Sequence, residues 1–402
     1  MVRVDRLMRR HVALWQRCGG RDERGKPRPR FRRCYTPQEQ ARREADAEKF
    51  VRVAESSIAA GLRDAESAIL QAFAVFARAA LDLDDTHLKL LVEGFPHLAR
   101  GLAEQARRFD PALSATNIFQ ASRNVWTAAG LQVLLGQPLE LTPAIFSYSM
   151  LYPYTDNLLD DPSASADAKS AFNRRFRARL EGESPRPANH RECKVWALVD
   201  RIESQYNRQR FPDVYRSLLA IQSAQEESVG LRREAALPPE DVMQGVFAKG
   251  GTSVLADGYL AAGRLTPKQE DFAFGWGVVL QLADDLQDVA EDRAAGTATL
   301  FNETLSAPLD AVTNRVFEFG DQVFAGLDAF QSPGVEPLKE LIRQSAVILL
   351  ITAAGAAHEL YTRSYIQELE RHSPFRFGFV REHRQYFYGP GGLVGRCVAA
   401  LA

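Results

Sequence analysis

The stretch WGVVLQLADDLQDVAED, residues 276–292, places five acidic side chains within nine positions, directly after an apolar run. Successive residues of a helix turn by about 100°, so residues four apart lie on one face. Asp284, Asp288 and Asp292 therefore form one acidic column on the predicted helix. Like charges stacked four residues apart repel each other and destabilise a helix. The column predicts a cationic partner at this end of the helix.

A second acidic pair lies earlier, in LTPAIFSYSMLYPYTDNLLDDPSAS, residues 141–165. Asp156 and Asp160 are again four apart and again follow an apolar segment. Either pair alone is more typical of a solvated helix end or a turn, but two such pairs on different helices can face each other across a bundle. Buried carboxylates need compensation, and Mg²⁺ combines one or two carboxylates with phosphate oxygens. The two pairs together predict a magnesium cage for a diphosphate.

The bulk composition is that of a globular protein, with 402 residues, 46% apolar and 25% charged. The net charge of −1 gives no field that would select nucleic acid. Residues 1–34 nevertheless carry 12 Lys and Arg against 3 Asp and Glu. We therefore predict a basic, mobile N-terminal arm over residues 1–36, with peripheral contact to an anionic membrane surface as the functional alternative.

Targeting and redox signals point to the cytoplasm. Residues 1–34 lack the continuous apolar segment of a secretory signal. The longest apolar run, residues 346–357, is shorter than the roughly 20 residues that span a bilayer. The four cysteines are scattered without a CxxC pair, and no HExxH occurs, which argues against a disulfide framework, structural zinc and a zinc hydrolase.

The pattern from residue 37 to residue 371 is helical and predicts one all-α domain, followed by an aromatic and basic tail over residues 372–402. Thr36, Pro37 and Glu39 have the spacing of a capping box with proline in the first turn. No segment alternates with a period of two between hairpin turns. The later predicted helices cover residues 59–83, 85–108, 114–136, 142–160, 165–181, 192–210, 213–233, 239–262, 267–292, 309–330 and 335–371.

Three motifs resemble those of the class I isoprenoid synthase superfamily. QLADDLQD, residues 281–288, resembles the second Asp-rich motif of trans-prenyl diphosphate synthases, including the leading Gln281. DNLLD, residues 156–160, resembles their first motif with Asn157 in place of the second aspartate. Between them, VFAKGGTSVLADGYLA resembles the helix whose lysine binds the diphosphate, with Lys249 in that place. The resemblance covers roughly residues 85–330.

Two further likenesses bear on the branch within the superfamily. DVAED, residues 288–292, also resembles a motif of squalene and phytoene synthases. Residues 156–180 are similar to the region after the first motif in bacterial large terpene synthases, which are cyclases. Residues 50–130 contain no GKRxRP-like segment for isopentenyl diphosphate, and no RRG follows the first motif closely. These absences argue against chain elongation.

The resemblance implies a helical bundle around a central cavity, with Mg²⁺ as cofactor and a prenyl diphosphate as substrate. The implied metal ligands are Asp156, Asp160, Asp284, Asp285 and Asp288. Lys249 and Gln281 would contact the substrate, Lys249 by neutralising charge on the leaving diphosphate. Dimers are common in these families, so a homodimer is one expectation.

Four other side chains are candidate substrate contacts. Tyr148 and Tyr152 share a four-residue spacing with Asp156, which places them on the same helix face, although core packing would explain them as well. Gln225 lies in the polar group SAQEES on an otherwise apolar helix, where a surface turn is the alternative. Arg384 lies in the aromatic tail, which would either cover the cavity mouth or remain solvated.

The leading hypothesis is a magnesium-dependent class I terpene synthase that ionises a linear all-trans prenyl diphosphate and cyclises or rearranges the allylic cation. The enzymatic alternatives are a squalene/phytoene-like head-to-head prenyltransferase and a divergent polyprenyl diphosphate synthase. A helical partner subunit without catalytic activity is the alternative from another class, although such subunits usually lose their Asp-rich motifs.

Overall fold

The computed structural model describes residues 4–19, 31, 33–60, 65–159, 161, 164–231, 238–302, 307–383 and 392, and among these it leaves out the side chains of residues 65, 93, 156, 159 and 229–231. Every regular element in these ranges is helical, which confirms the all-α fold class. The α-helices are α1 (Val4–Arg17), α2 (Pro37–Ala60), α3 (Ala65–Ala80), α4 (Asp85–Lys89), α5 (Phe95–Phe109), α6 (Ala115–Leu134), α7 (Pro143–Leu159), α8 (Ala166–Glu181), α9 (His190–Gln205), α10 (Pro212–Leu231), α11 (Pro239–Ala262), α12 (Pro267–Gln287), α13 (Val289–Ala295), α14 (Asp310–Phe324), α15 (Glu336–Ala356), α16 (Arg363–Glu370) and α17 (Phe377–Glu382).

Side-chain caps fix where two of the helices begin. The predicted capping box at α2 is confirmed, because Thr36 N donates to Glu39 Oε2 at 2.8 Å and Glu39 N donates to Thr36 Oγ1 at 3.2 Å. A second box opens α12, where Thr266 N donates to Gln269 Oε1 at 2.9 Å. Each box satisfies backbone N–H groups that a helix start leaves unpaired. The box at Thr266 thereby sets the first residue of the helix that carries the acidic column.

The described residues group into two compact units. The first unit contains the described parts of Met1–Arg28 and Asn124–Val335, and α11 lies at its centre. Helices α1, α7, α10 and α12 all pack on α11. Most of α11 from Val242 to Ala261 is buried, since neighbours cover several of its faces at once. Helix α7 also packs on α9, and α12 also packs on α14.

The N-terminal segment corrects part of the sequence prediction. Residues 4–17 form α1, which packs on α11, α12 and α14, whereas the sequence predicted a mobile arm over residues 1–36. Leu7, His11 and Trp15 recur at four-residue spacing and are buried. The arginines of α1 lie on its remaining faces, so the high charge of the segment concealed an amphipathic helix. Residues 20–30, which carry much of the remaining basic charge, lie outside the described residues.

The second unit contains the described parts of Pro29–Arg123 and Glu336–Ala402. Helix α2 packs on α3, while α15 packs on α4, α16 and α17. The Glu44 carboxylate is buried and accepts hydrogen bonds from the guanidinium and backbone N–H of Arg376, which ties α2 to the start of α17. None of the described helices combines the length and the hydropathy needed to cross a membrane.

Candidate functional site

Helices α11 and α12 approach each other so closely that glycine is required at their crossing. A Cβ added to Gly277 would lie 2.0 Å from the carbonyl oxygen of Gly250, and one added to Gly250 would lie 2.6 Å from that of Gly277. Real Cβ atoms do not approach backbone atoms this closely, so the two backbones are in direct contact. The crossing lies one residue after Lys249 and four residues before Gln281. It therefore sets the spacing between two predicted substrate contacts.

Asp285 lies close enough to Lys249, across this crossing, for the two charges to interact. The carboxylate is only 6% exposed, and its Oδ1 accepts a hydrogen bond from Gln281 Nε2 at 2.7 Å. The pKa of Asp285 is raised to about 7, mainly by burial and also by the charges of Asp284 and Asp292, which outweigh the lowering by the Gln281 hydrogen bond and the Lys249 ammonium. Three residues that were predicted for the site, Lys249, Gln281 and Asp285, are thus brought together.

The second oxygen of the Asp285 carboxylate, Oδ2, indicates whether these residues suit a metal ion. Asp285 Oδ2 is buried and has no hydrogen-bond partner among the described residues. An unpaired buried carboxylate oxygen costs free energy unless a proton or a cation compensates it. Neighbouring acidic groups disfavour the charged carboxylate further. These features fit a divalent cation with oxygen ligands, which would be held by Asp285 together with the half-buried Asp284.

The helix that carries the acidic column is interrupted at the middle residue of the column. Helix α12 ends at Gln287 and α13 begins at Val289, with Asp288 between them at φ −102° and ψ 13°. The backbone bonds of the column persist, because Asp288 N donates to Asp284 O at 3.0 Å and Asp292 N donates to Asp288 O at 2.8 Å. The sequence predicted one unbroken helix over residues 267–292. The break falls where like charges stack four residues apart, an arrangement that destabilises a helix slightly.

Tyr148 and Tyr152 lie between α7 and α11. Their rings meet edge to face with centroids 5.6 Å apart. The Tyr152 hydroxyl contacts Ser253 Oγ at 2.5 Å, and the Tyr148 hydroxyl donates to the Ser253 carbonyl at 3.2 Å. Burial raises the pKa of Tyr148 well above its ordinary value, so its hydroxyl stays protonated. Ser253 follows Lys249 by one helical turn, which places the tyrosines deeper along the same face of α11.

A narrow cavity adjoins the two tyrosines. Its volume of about 20 Å³ leaves room for about one water molecule. Gln225 lines the same cavity as Tyr148 and Tyr152, and its contact with substrate stays a prediction. Its neighbour Glu226 instead pairs with Arg177 at 2.8 Å. The complete lining is Tyr148, Leu151, Tyr152, Thr155, Phe176, Leu180, Leu218, Ile221, Gln222 and Gln225.

Sequence reasoning missed a buried acid on the same helix face. Asp257 is 1% exposed, and its Oδ1 accepts a hydrogen bond of 2.9 Å from Asn124 Nδ2, which also donates to Ser149 Oγ at 3.0 Å. Burial raises the pKa of Asp257 well above its ordinary value, which favours the neutral acid. The sequence did contain a signal, since Lys249, Ser253 and Asp257 follow at four-residue intervals.

Part of the predicted site lies outside the described residues. Asp156 belongs to the last turn of α7, but its side chain is not described, and neither Asp160 nor Arg384 is described at all. Among the described side chains, no group of three or more His, Cys, Asp or Glu is arranged to hold a metal ion. The cage with one wall at residues 156–160 and the other at residues 284–288 therefore stays a prediction.

Comparison with known proteins adds little to this geometry. No protein-family model matches the chain, and no curated protein sequence is significantly similar to it. One solved structure with which the chain aligns is a geranyltranstransferase from Thermotoga maritima. The alignment has 13% sequence identity and covers 62% of this chain and 96% of that chain, with a TM-score of 0.39. A TM-score of this size does not establish a shared fold.

Proposed function

We propose that this protein is a magnesium-dependent class I terpene synthase that ionises a linear all-trans prenyl diphosphate and cyclises or rearranges the resulting allylic cation. The observation that carries the proposal is the unpaired oxygen of the buried Asp285 carboxylate, whose pKa the charge of Lys249 on the neighbouring helix lowers. A carboxylate that needs a cation and a lysine that can bind an anion then belong to the same crossing of helices. A metal-bound diphosphate satisfies both requirements.

Each residue has a defined task in this proposal. Asp284, Asp285 and Asp288, with Asp156 and Asp160 from the other predicted wall, hold Mg²⁺, which supplies Lewis-acid stabilisation of charge on the diphosphate when bound. Lys249 binds the diphosphate oxygens and stabilises their developing charge. Gln281 orients Asp285 through its 2.7 Å hydrogen bond. The effect of Gln281 on the metal is therefore indirect, through the position of the Asp285 carboxylate.

The prenyl chain would extend from the diphosphate towards Tyr148 and Tyr152. These rings could stabilise a cation through their π faces. The lining between α7 and α10 is mostly aliphatic and aromatic, and a substrate chain that filled the cavity would displace water that could otherwise capture the cation. The cavity is too small for a prenyl chain as it stands. Substrate entry therefore requires side chains of α7, α8 or α10 to move.

One incubation series tests the proposal. The full chain is mixed with Mg²⁺ and single prenyl diphosphates of increasing length, and both inorganic diphosphate and organic products are measured. The expected result is diphosphate release with one cyclic or rearranged product from a single substrate. Product that appears only after isopentenyl diphosphate is added would identify an elongating synthase instead, and a product joining two prenyl chains would identify a head-to-head synthase. No turnover with any substrate would favour the partner subunit.

Substitutions within the acidic motifs separate the metal assignments. Asp284→Asn and Asp156→Asn should each reduce turnover by about a thousandfold or more, because each removes charge that stabilises the transition state, while the far-ultraviolet circular dichroism stays unchanged. Glu291→Gln is the matched control, since exposed Glu291 has no task in this proposal. Near wild-type turnover in either aspartate variant would refute the cage. Loss of turnover in Glu291→Gln would favour the squalene/phytoene-like alternative, which the resemblance of DVAED suggests.

A further inference from the structure

The first unit contains a second and larger cavity, which the proposed function does not use. This cavity lies among α1, α10 and α11, and each of the three helices contributes to its lining. Its volume is about 620 Å³, against about 20 Å³ for the cavity beside Tyr148 and Tyr152. Sites for small organic molecules usually have volumes of about 300–1,000 Å³. The larger cavity therefore has the size of a small-molecule site.

The two cavities lie on different faces of the helices that they share or adjoin. On α10, Gln225 lines the smaller cavity and Glu227 lines the larger one, and residues two positions apart point about 200° away from each other. On α11, Thr252 lines the larger cavity, whereas the next residue, Ser253, contacts the two tyrosines. A ligand of the larger cavity would therefore not occupy the space proposed for the prenyl chain.

The inner part of the larger cavity is apolar because the side chains that line it are small and their polar atoms are satisfied. Ala224 is 4% exposed and Thr252 is 1% exposed, so these residues mark the inner part. The Thr252 hydroxyl donates to the Ala248 carbonyl at 2.6 Å, and the Ser223 hydroxyl donates to the Leu219 carbonyl at 2.9 Å. Both hydroxyls are thus paired with their own helices. The small lining residues of α10 and α11 are Ala220, Ser223, Ala224, Gly245, Ala248 and Thr252.

The outer part of the cavity carries an excess of negative charge. Three exposed carboxylates line it, one from each helix, namely Asp5, Glu227 and Asp241. Within the described part of the chain, none of the three takes part in an ion pair. Arg9 is the one cationic residue of the described lining, so the net charge is −2. A cation is therefore the complementary ligand, and an anion would be repelled.

We propose that this cavity binds a small organic ammonium, that is, a primary amine on an unbranched apolar chain. The ammonium lies among the carboxylates of Asp5, Glu227 and Asp241, and the chain extends along α11 towards Thr252. Helix α11 rises by about 16 Å between Asp241 and Thr252, which accommodates an ammonium followed by a chain of about eight carbon atoms. The ligand thus has the opposite charge to the diphosphate of the proposed substrate, and its binding is independent of the terpene synthase function.

Binding at this position would act on the attachment of α1. Helix α1 packs on α11, α12 and α14, and it contributes Asp5 and the half-buried Met8 to the cavity. A ligand that contacts these residues together with α10 and α11 joins the three helices. Because a ligand that binds only the folded state stabilises that state, hydrogen exchange of the α1 amides should slow when the cavity is filled.

The test titrates the full chain at neutral pH with three probes that share one chain length and differ in charge. These probes are n-octylamine, which is protonated at this pH, neutral 1-octanol and anionic octanoate, and calorimetry measures the dissociation constants. Octylamine should bind saturably to one site, about tenfold more tightly than octanol, and high salt should reduce this preference. Octanoate should bind most weakly. Equal affinity for octylamine and octanol, tighter binding of octanoate, or no saturable binding of octylamine would overturn the proposal.

Two pairs of variants connect the binding to the cavity. Asp241→Asn should weaken octylamine binding by about three- to fivefold, as expected for one exposed charge pair, and leave octanol binding unchanged. Glu240→Gln is the matched control, since Glu240 is the exposed preceding residue and is absent from the lining. Ala220→Leu should weaken the binding of both probes at least about tenfold by filling the inner part, whereas Ala220→Ser keeps the space and the affinity.

Circular dichroism shows whether each variant is folded. Equal octylamine affinities in Asp241→Asn and Glu240→Gln would show that the carboxylates do not hold the ammonium. Wild-type affinity in a folded Ala220→Leu would place the probe elsewhere on the protein. If Ala220→Leu does not fold, the comparison of Asp241→Asn with Glu240→Gln decides the proposal.

Discussion

At the scale of single residues, Asp285 has an ionisation that the fold itself controls. Its burial raises the pKa to about 7 from an ordinary value of 3.8. In the unfolded chain the carboxyl loses its proton near the lower value, whereas in the folded, metal-free protein it keeps the proton until about pH 7. The proton therefore binds the folded state more tightly, and stability decreases as the pH rises from about 4 to about 7.

Asp285→Asn should remove this dependence. Each unit of pKa difference corresponds to about 1.4 kcal/mol. The free energy of unfolding of the variant, relative to that of wild type, should therefore rise by roughly 4 kcal/mol from about pH 4 to about pH 8 in the presence of a chelator. Urea unfolding at both pH values measures the change, and Glu291→Gln, at an exposed carboxylate, controls for the loss of a negative charge. A free-energy difference that stays constant with pH would show that Asp285 ionises normally in the folded protein.

At the scale of helices, the crossing of α11 and α12 depends on Gly277. In Gly277→Ala the new Cβ would meet the Gly250 carbonyl at 2.0 Å, so the helices must separate. We expect a loss of about 3 kcal/mol or more in the free energy of unfolding, at the upper end for overpacked cores. Separation would also move Lys249 away from Asp285.

Gly320→Ala is the matched control, since Gly320 is an interior glycine of α14 in the same unit. Its added Cβ would have its nearest neighbour, an atom of the Phe324 ring, at 3.6 Å, which is ordinary contact. Alanine is the better helix former by about 1 kcal/mol, so this variant should be as stable as wild type or slightly more stable. Thermal unfolding of both variants makes the comparison. Similar stabilities would mean that the crossing tolerates a side chain.

The helices themselves were largely predictable because caps and apolar periodicity are local properties. The bounds predicted for residues 239–262 agree with α11, where a proline at the start and Gly263 at φ +72° mark both ends. The predicted helix over residues 335–371 instead divides into α15 and α16, with Thr362 capping the second through Tyr365 N. Such breaks depend on how each segment packs, which periodicity alone does not record.

At the scale of the whole chain, the sequence placed residues on helices but could not place the helices against each other. It predicted that Gln281, Asp285 and Lys249 belong to one site. In the structure Gln281 is hydrogen-bonded to Asp285, and the charge of Lys249 lowers the pKa of Asp285. Asp257 and Asn124 were missed because they are 133 positions apart and meet only through a hydrogen bond between α6 and α11. The metal-binding role and the opposite wall at residues 156–160 stay predictions, since the Asp156 side chain and Asp160 lie outside the described residues.

The assembly of the first unit from distant parts of the chain leads to a prediction about Trp15. Its indole is 4% exposed and meets the rings of Phe247 and Phe319 edge to face, each with centroids 5.8 Å apart. Phe247 lies on α11 two residues before Lys249, so α1 supports the helix that carries the proposed diphosphate lysine. Trp15→Ala should lower the free energy of unfolding by about 3–5 kcal/mol, as truncation of a buried aromatic side chain does.

Gln16→Ala changes the exposed neighbour on the same helix and should have little effect. Urea unfolding measures both variants, and hydrogen exchange of the α1 amides gives an independent readout, with protection expected in Gln16→Ala and lost in Trp15→Ala. A mobile N-terminal arm would make the two variants equally stable and leave α1 unprotected in each. That outcome would favour a mobile arm over residues 1–36, as their charge alone suggests. It would also mean that α1 does not support the helix that carries Lys249.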